Sequence, residues 1–312
     1  MATAFTDDDG DAAVRLDGVV KRYGEHTALD GVTLAVPRGQ LFGLIGHNGA
    51  GKSTLFKLLL NLITPTAGRL WIAGREVLGT ASRDTRRRVG YLPENLVLYD
   101  NLDGLETLQF FARMKGAPPS QCAALLEHVG LGGVGRKPVR GYSKGMRQRL
   151  GFAQALLGEP QVLLLDEPTN GLDPQAIRDF YATLRELQAG GVTIVITSHI
   201  LAELQERVDR LAILASGKLQ ALGSVQALRE QAHMPLTIHL TLAAADRPAA
   251  LGLLSAVPGV TAAETPEGLH VDCPRGSKMA VIGALAPLGA ALQDLQIQEP
   301  SLEDVYFDLR KG

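Results

Sequence analysis

The sequence predicts an α/β core carrying an inserted helical subdomain, followed by a small α+β domain. Three observations predict it. An apolar strand, Leu41–Ile45, runs directly into a glycine-rich loop and then a helix. A second apolar strand, Val162–Leu165, ends in two adjacent carboxylates, Asp166 and Glu167. From about Glu94 to Leu157 the apolar spacing is helical only, whereas beyond residue 235 short strands and helices follow the order β-α-β-β-α-β.

The first of these carries the chemistry. Gly46-His47-Asn48-Gly49-Ala50-Gly51-Lys52-Ser53, followed by Thr54, fits the phosphate-binding pattern G-x-x-x-x-G-K-S/T without a gap. Gly46, Gly49 and Gly51 let the backbone bend sharply and approach a ligand closely. The N–H groups from the loop and the first helical turn then point at phosphate oxygens, where the helix dipole also favours negative charge. Lys52 brings a full positive charge to the β- and γ-phosphates, and Ser53 offers a hydroxyl to Mg²⁺. His47 is a variable position of the loop and receives no chemistry of its own. The core is thus expected to be an α/β P-loop ATPase.

The bulk composition narrows the class. The 312 residues, 46% hydrophobic and 21% charged, suffice for about two ordinary globular domains. A net charge of −2 argues against a surface built for nucleic-acid backbone. Cys122 and Cys273 are far apart, so a disulfide scaffold is not expected and a reducing, cytoplasmic setting is. No apolar run reaches the roughly 18 residues of a spanning helix, so a membrane role requires a separate partner chain. Residues 1–13, with Asp7, Asp8, Asp9 and Asp11, read as a disordered leader rather than a signal peptide.

Taken in order, Val14–Val20 and Val32–Val36 read as strands, with Tyr23 just past the first. An aromatic face there is placed to stack on adenine, or simply to pack at a rim. Gly68–Ala73 and Arg88–Leu92 are strands around a short helix, Ser82–Arg87, and Glu94 follows. Helices are expected over Leu105–Met114, over Gln121–Val129 and from Gly145. The strand ending at Asp166 opens onto the ligand crevice of an α/β sheet, which places Asp166 to hold Mg²⁺ and Glu167 to polarise the attacking water. Asn170–Pro174 is a turn and helix start, leading through helix Pro174–Ala189 to strand Val192–Thr197 and then to His199, a candidate donor to the γ-phosphate. Domain boundaries follow: 14–223 for the nucleotide domain, with the helical subdomain at about 94–157, then a linker over 224–235 and an accessory domain over 236–312. The accessory domain shows no catalytic cluster, because His233, His239 and His270 lack ligand spacing; a last helix, Leu302–Arg310, closes the chain.

One further stretch resembles a known family. Gly141-Tyr142-Ser143-Lys144-Gly145-Met146-Arg147-Gln148-Arg149, between the phosphate loop and the carboxylate strand, is similar to the signature of ATP-binding-cassette ATPases. Residues 14 to about 223 then match that family's ordered motifs. The resemblance implies that Tyr23 stacks on adenine, that Asp173 belongs to the aspartate loop and that His199 is the switch histidine. It also implies a homodimer in which Ser143 and Gly145 of one copy meet the γ-phosphate held by the other. Two departures stand out: Glu94 occupies the position where glutamine is usual, and Lys144 and Met146 replace the usual glycine and glutamine. Ser143 and Gly145 are kept.

These substitutions, together with the tail Glu299–Tyr306, resemble an exporter-type branch whose ATPases end in a regulatory extension. Within it, GHNGAGKST, YLPENLVLYDNL and YSKGMRQRLGFAQALLGEP are similar to ATPases of copper-processing systems that mature nitrous oxide reductase. The expected function is therefore an ATP- and Mg²⁺-dependent motor, peripheral on the inner face of the cell membrane. It would drive a separate permease, through contact near Glu94–Asn101, and through that permease a periplasmic protein. Other cargoes remain open: a drug, lipid or polysaccharide. A soluble cassette ATPase fits less well, because neither a second nucleotide domain nor a long coiled-coil insertion is present. A plain P-loop kinase leaves the stretch Ser143–Arg149 unexplained, and no N-K-x-D favours guanine.

Overall fold

The computed structural model describes residues 12–78, 82–198, 201–231, 234–301 and 304. The chain divides into two compact units at Gly223/Ser224.

The first unit holds two sheets. Strands β1 (Ala12–Tyr23), β2 (His26–Pro37), β4 (Ala67–Ile72) and β5 (Arg75–Glu76) form an antiparallel sheet in the order β2-β1-β4-β5. The other sheet has the order β10-β9-β3-β8-β7-β6. Its members are β3 (Leu41–Ile45), β6 (Val89–Leu92), β7 (Val162–Asp166), β8 (Thr193–Ser198), β9 (Arg210–Ala215) and β10 (Lys218–Gly223). All its pairings are parallel except that of β9 with β10. Parallel strands are covered on both faces and so carry continuous apolar runs, and β3 and β7 are buried at every position.

Helix α1 (Lys52–Leu59) follows β3 and buries Leu55, Phe56, Leu58 and Leu59 in the main core beside Leu44 and Leu164. Helix α2 (Ser82–Arg87) leads into β6. Between β6 and β7 lie only helices: α3 (Gly104–Lys115), α4 (Gln121–His128) and α5 (Lys144–Leu156), with two 3₁₀ turns between α4 and α5. A capping box fixes the start of α3, where Asp103 and Glu106 each accept the other's backbone N–H. Helices α6 (Pro174–Ala189) and α7 (Leu201–Gln205) flank β8 in sequence.

The second unit contains α8 (Val225–Gln231), β11 (Leu236–Leu242), α9 (Arg247–Ser255), β12 (Thr261–Thr265), β13 (Gly268–Cys273), α10 (Lys278–Leu285) and β14 (Leu292–Gln298). Its antiparallel sheet has the order β12-β13-β11-β14. Alternate residues Leu236, Ile238, Leu240 and Leu242 pack with Leu269, Val271, Ala250, Leu254, Val281 and Leu285 into a separate core.

Several expectations are corrected. The first strand begins at Ala12, inside the stretch read as leader, because Ala13 is in the core and Ala12 pairs with Pro37. It also runs on to Tyr23, because the hairpin with β2 closes only at the Tyr23–His26 pair. Apolar spacing alone predicts the second helix of the accessory domain over Lys278–Leu288, but the helix stops at Leu285 and gives way to 3₁₀ turns, where Pro287 lacks an N–H and Gly289 takes φ 49°. Residues 1–11 of the leader, His199, His233 and nearly all of the expected helix Leu302–Arg310 lie outside the described residues. Both cysteines are free and buried.

Candidate nucleotide site

Strands β3, β8 and β7 are neighbours, so the phosphate loop and the carboxylate pair leave the same end of the sheet one strand apart. The crevice outside the carboxyl ends of parallel strands is where an open α/β sheet binds ligands. A cleft of about 460 Å³ opens there. Its walls bring together Tyr23, the loop residues His47 to Thr54 apart from Ala50, and the three carboxylates Glu94, Asp166 and Glu167.

The loop has its shape for steric reasons. Gly51, the residue before α1, has φ 109°, and a Cβ there would lie 2.6 Å from the Leu29 side chain and 2.8 Å from the Ala28 carbonyl oxygen. At Gly46 a Cβ would meet the Leu214 carbonyl oxygen at 2.6 Å and the Ala50 Cβ at 2.7 Å. Gly46 and Ala50 therefore pack beneath the loop and do not line the cleft. Lys52 is only 8% exposed, and its amine donates to the loop's own carbonyls, Gly46 O at 2.5 Å and His47 O at 3.4 Å. Burial pushes this amine below the usual lysine range, while the negative charges of Glu167, Asp166 and Glu94 pull it back up.

The carboxylates are held from β8. Asp166 is 6% and Glu167 7% exposed. The Thr197 hydroxyl donates to Asp166 Oδ1 at 2.7 Å and accepts the Glu167 N–H at 2.9 Å. Glu167 has φ 48°, a left-handed backbone that costs a residue with a side chain of order 1–3 kcal/mol. Just beyond it, the Pro168 carbonyl accepts Gln148 Nε2 from α5 at 2.8 Å. At the other wall, Lys21 Nζ sits 4.9 Å from the centre of the Tyr23 ring and donates to the Thr64 carbonyl at 2.8 Å. One face of this half-exposed ring is thereby capped by a cation.

The donor set fits a hard divalent cation. Ser53, Asp166 and Glu94 offer a hydroxyl and two carboxylates around one cleft, all oxygen donors of the kind Mg²⁺ takes. No group of three or more imidazole, thiolate or carboxylate residues placed to hold a metal ion occurs among the described residues. The cross-strand register does set His239 opposite His270, with ring centroids 5.2 Å apart, a proximity that their sequence separation hides.

Besides Gly46 and Ala50, three more candidate residues are absent from the cleft. Ser143 is the N-cap of α5, its Oγ accepting the Met146 N–H at 3.2 Å. Gly145 lies beside Leu172, and Asp173 caps α6 through the Ala176 N–H at 2.8 Å. Asp173 instead borders a separate cavity of about 370 Å³ between α5 and α6. Sequence reasoning missed His26, Ala28 and Asn170 on the cleft wall, and Thr197 behind it. For His26 the available signal was its position across the hairpin from Tyr23; for Thr197, a hydroxyl at the end of an otherwise apolar strand.

Residues 29–170 match the ABC transporter family. A daunorubicin resistance ATP-binding protein from Streptomyces coeruleorubidus is 37% identical over 307 residues, covering 96% of each chain. A linearmycin resistance ATP-binding protein from Bacillus subtilis (strain 168) is 30% identical, covering 95% of this chain and 97% of that one. Among solved structures, an ATP-binding cassette described as a dimer in a post-hydrolysis state with ADP and Pi matches with a TM-score of 0.62 and 25% identity, over 68% of this chain and 98% of that one. With the motifs, the crevice geometry and a relative matching along nearly its whole length, the chain belongs to the ATP-hydrolysing subunits of ABC transporters, which act as dimers with a separate transmembrane permease.

Proposed function

We propose that this chain is the motor subunit of an exporter, with ATP bound between two copies of it. One observation carries the reading. The cleft gathers Lys52, Ser53, Glu94, Asp166, Glu167 and Tyr23, yet Ser143 stays outside it at the exposed start of α5. A second copy supplies what the first lacks. Ser143 Oγ already accepts the Met146 N–H, which leaves its O–H free to donate to the γ-phosphate of the facing subunit, with the start of α5 at Gly145 adding its dipole. Asp173, at the start of α6, belongs to the same facing surface.

Within the cleft, Tyr23 stacks on adenine, the backbone of residues 46–54 wraps the phosphates, and Lys52 transfers its hydrogen bonds from loop carbonyls to β- and γ-oxygens. Ser53, Asp166 and Glu94 are the residues that would hold Mg²⁺, which when bound neutralises phosphate charge. Glu167 accepts a proton from water as that water's oxygen bonds to the γ-phosphorus and the bond to the bridging oxygen of ADP breaks. His199 is the proposed γ-phosphate donor beyond β8.

No helix among the described residues is long and apolar enough to cross a membrane. Attachment to the inner face of the membrane is proposed to come through a permease seated on the segment Glu94–Asn101. Val97 is 87% and Tyr99 54% exposed there, with Tyr99 propped edge-on against Phe110 at 5.5 Å. Relatives named for daunorubicin and linearmycin resistance favour an amphiphilic, drug-like cargo. Their names do not support a copper-linked cargo with a periplasmic partner.

Glu167→Gln tests the reading. The variant is expected to bind ATP, to form an ATP-dependent dimer by light scattering, and to lose 10²–10⁴-fold in turnover. Turnover within threefold of the parent, or a monomer at saturating ATP, would overturn it. With the permease in proteoliposomes, stimulation of ATPase by a drug-like amphiphile supports the cargo assignment, and stimulation by Cu⁺ alone refutes it.

A further inference from the structure

We propose that Thr197 is a positioning residue for ATP hydrolysis: its single hydroxyl orients the cation-binding carboxylate of Asp166 and the backbone that carries Glu167. The inference rests on the roles proposed above for those two residues.

The geometry is specific. A threonine hydroxyl has one proton and two lone pairs. Here the proton goes to Asp166 Oδ1 at 2.7 Å and a lone pair takes the Glu167 N–H at 2.9 Å. Thr197 is fully buried, and its partners are nearly so. A short bond from a hydroxyl to a carboxylate inside a protein is charge-assisted and directional. It commits one lobe of Asp166, fixes the plane of the group and leaves the remaining lone pairs for the cation side.

The second bond acts where β7 ends. Asp166 and Thr197 are register partners on parallel strands, and the next residue, Glu167, turns into the left-handed region at φ 48°. A side-chain oxygen from β8 takes the N–H of that turned residue. Remaining in this turn costs energy, and a hydrogen bond worth about 0.5–1.5 kcal/mol offsets part of it. Thr197 thus ties the carboxylate of Asp166 and the backbone N–H of Glu167 to one atom. It also lies two positions before His199, so a shift at the end of β8 reaches Asp166 and Glu167 through one hydroxyl.

The inference predicts a separation of binding from chemistry. Thr197→Val keeps the shape and removes both bonds. It should lower kcat at least tenfold and change the KM for ATP less than threefold. It should also raise several-fold the Mn²⁺ concentration that half-saturates the site in the presence of a non-hydrolysable ATP analogue, read by electron paramagnetic resonance of free Mn²⁺. Thr197→Ser restores the hydroxyl and should return both quantities to within about twofold of the parent. If the valine variant does not fold, Thr197→Cys keeps a side chain of similar size with a weak donor and acceptor, and should fall between serine and the expected valine values. The inference is overturned if valine, or cysteine in its place, matches the parent in kcat and Mn²⁺ midpoint, or if serine is as impaired as either. Asp166→Asn and Glu167→Gln are measured alongside. If these retain parental turnover, the role assignments fail; if they lose it while Thr197→Val does not, only the positioning role fails.

Discussion

The six-stranded sheet of the first unit and the four-stranded sheet of the second manage their polar groups in opposite ways. In the first, β3, β7 and β8 are buried along their length, and charge is confined to their carboxyl ends, as at Asp166, and to the segments beyond. In the second, β11 alternates, with its apolar residues in the core while Thr237, His239 and Thr241 fall on the other face. There Thr237 bonds to Asp272 at 3.1 Å and His270 lies 3.3 Å from the same carboxylate. A sheet covered on both sides can present chemistry only at its ends, so Lys52, Asp166 and Glu167 converge. A one-sided sheet spreads its polar groups over a solvated surface, where each is worth little.

The comparison can be broken at three places. The largest effect is expected at Lys52. Lys52→Ala should weaken ATP binding by about 10²-fold, the scale of removing one preorganised charge contact. Equilibrium binding of a fluorescent ATP analogue checks this, and hydrogen exchange over residues 236–298 should not change. Ile238→Ala asks the converse question. This fully buried side chain is central to the second core, and its loss should destabilise that unit by about 2–5 kcal/mol. Faster exchange confined to residues 236–298, with unaltered ATP affinity, is the expected result; altered affinity would mean that the two units share more than a chain.

The smallest effect concerns Lys115, at the end of α3, whose amine is pushed down to about 8 by burial from an ordinary value of 10.5. The folded chain releases this proton near pH 8 and the unfolded chain near pH 10.5. At pH 7 both forms are charged and the burial penalty is present in full. Between about pH 8 and 10.5 the unfolded chain holds more protons, so stability rises with pH. Lys115→Met should therefore stabilise the first unit most at pH 7, with the difference closing toward pH 10.5 in urea titrations. A difference independent of pH would assign the effect to packing.

Much of this was legible in the chain. The phosphate loop could be read because glycine, lysine and serine at fixed spacing have few other uses, and the apolar runs before Gly46 and Asp166 marked buried strands with their functional ends. The hidden parts depend on register. Thr197 reads as one more β-branched residue of a strand, and only the pairing of β7 with β8 shows what its hydroxyl meets. His239 and His270 are separated by a helix and a strand, and only the antiparallel register sets them side by side. The early stop of α10 was, by contrast, written in Pro287 and Gly289, but strong apolar spacing through Leu288 masked it.

The amine of Lys52 rests on the carbonyls of Gly46 and His47. That amine braces the loop from within, tying the start of α1 to the backbone six residues earlier. On the proposed reading, a nucleotide would offer it phosphate oxygens in place of carbonyl oxygens, a trade of like for like that would leave the course of the loop unchanged. A motor that must load and discharge on every stroke thereby keeps its reorganisation small at the step it repeats most often.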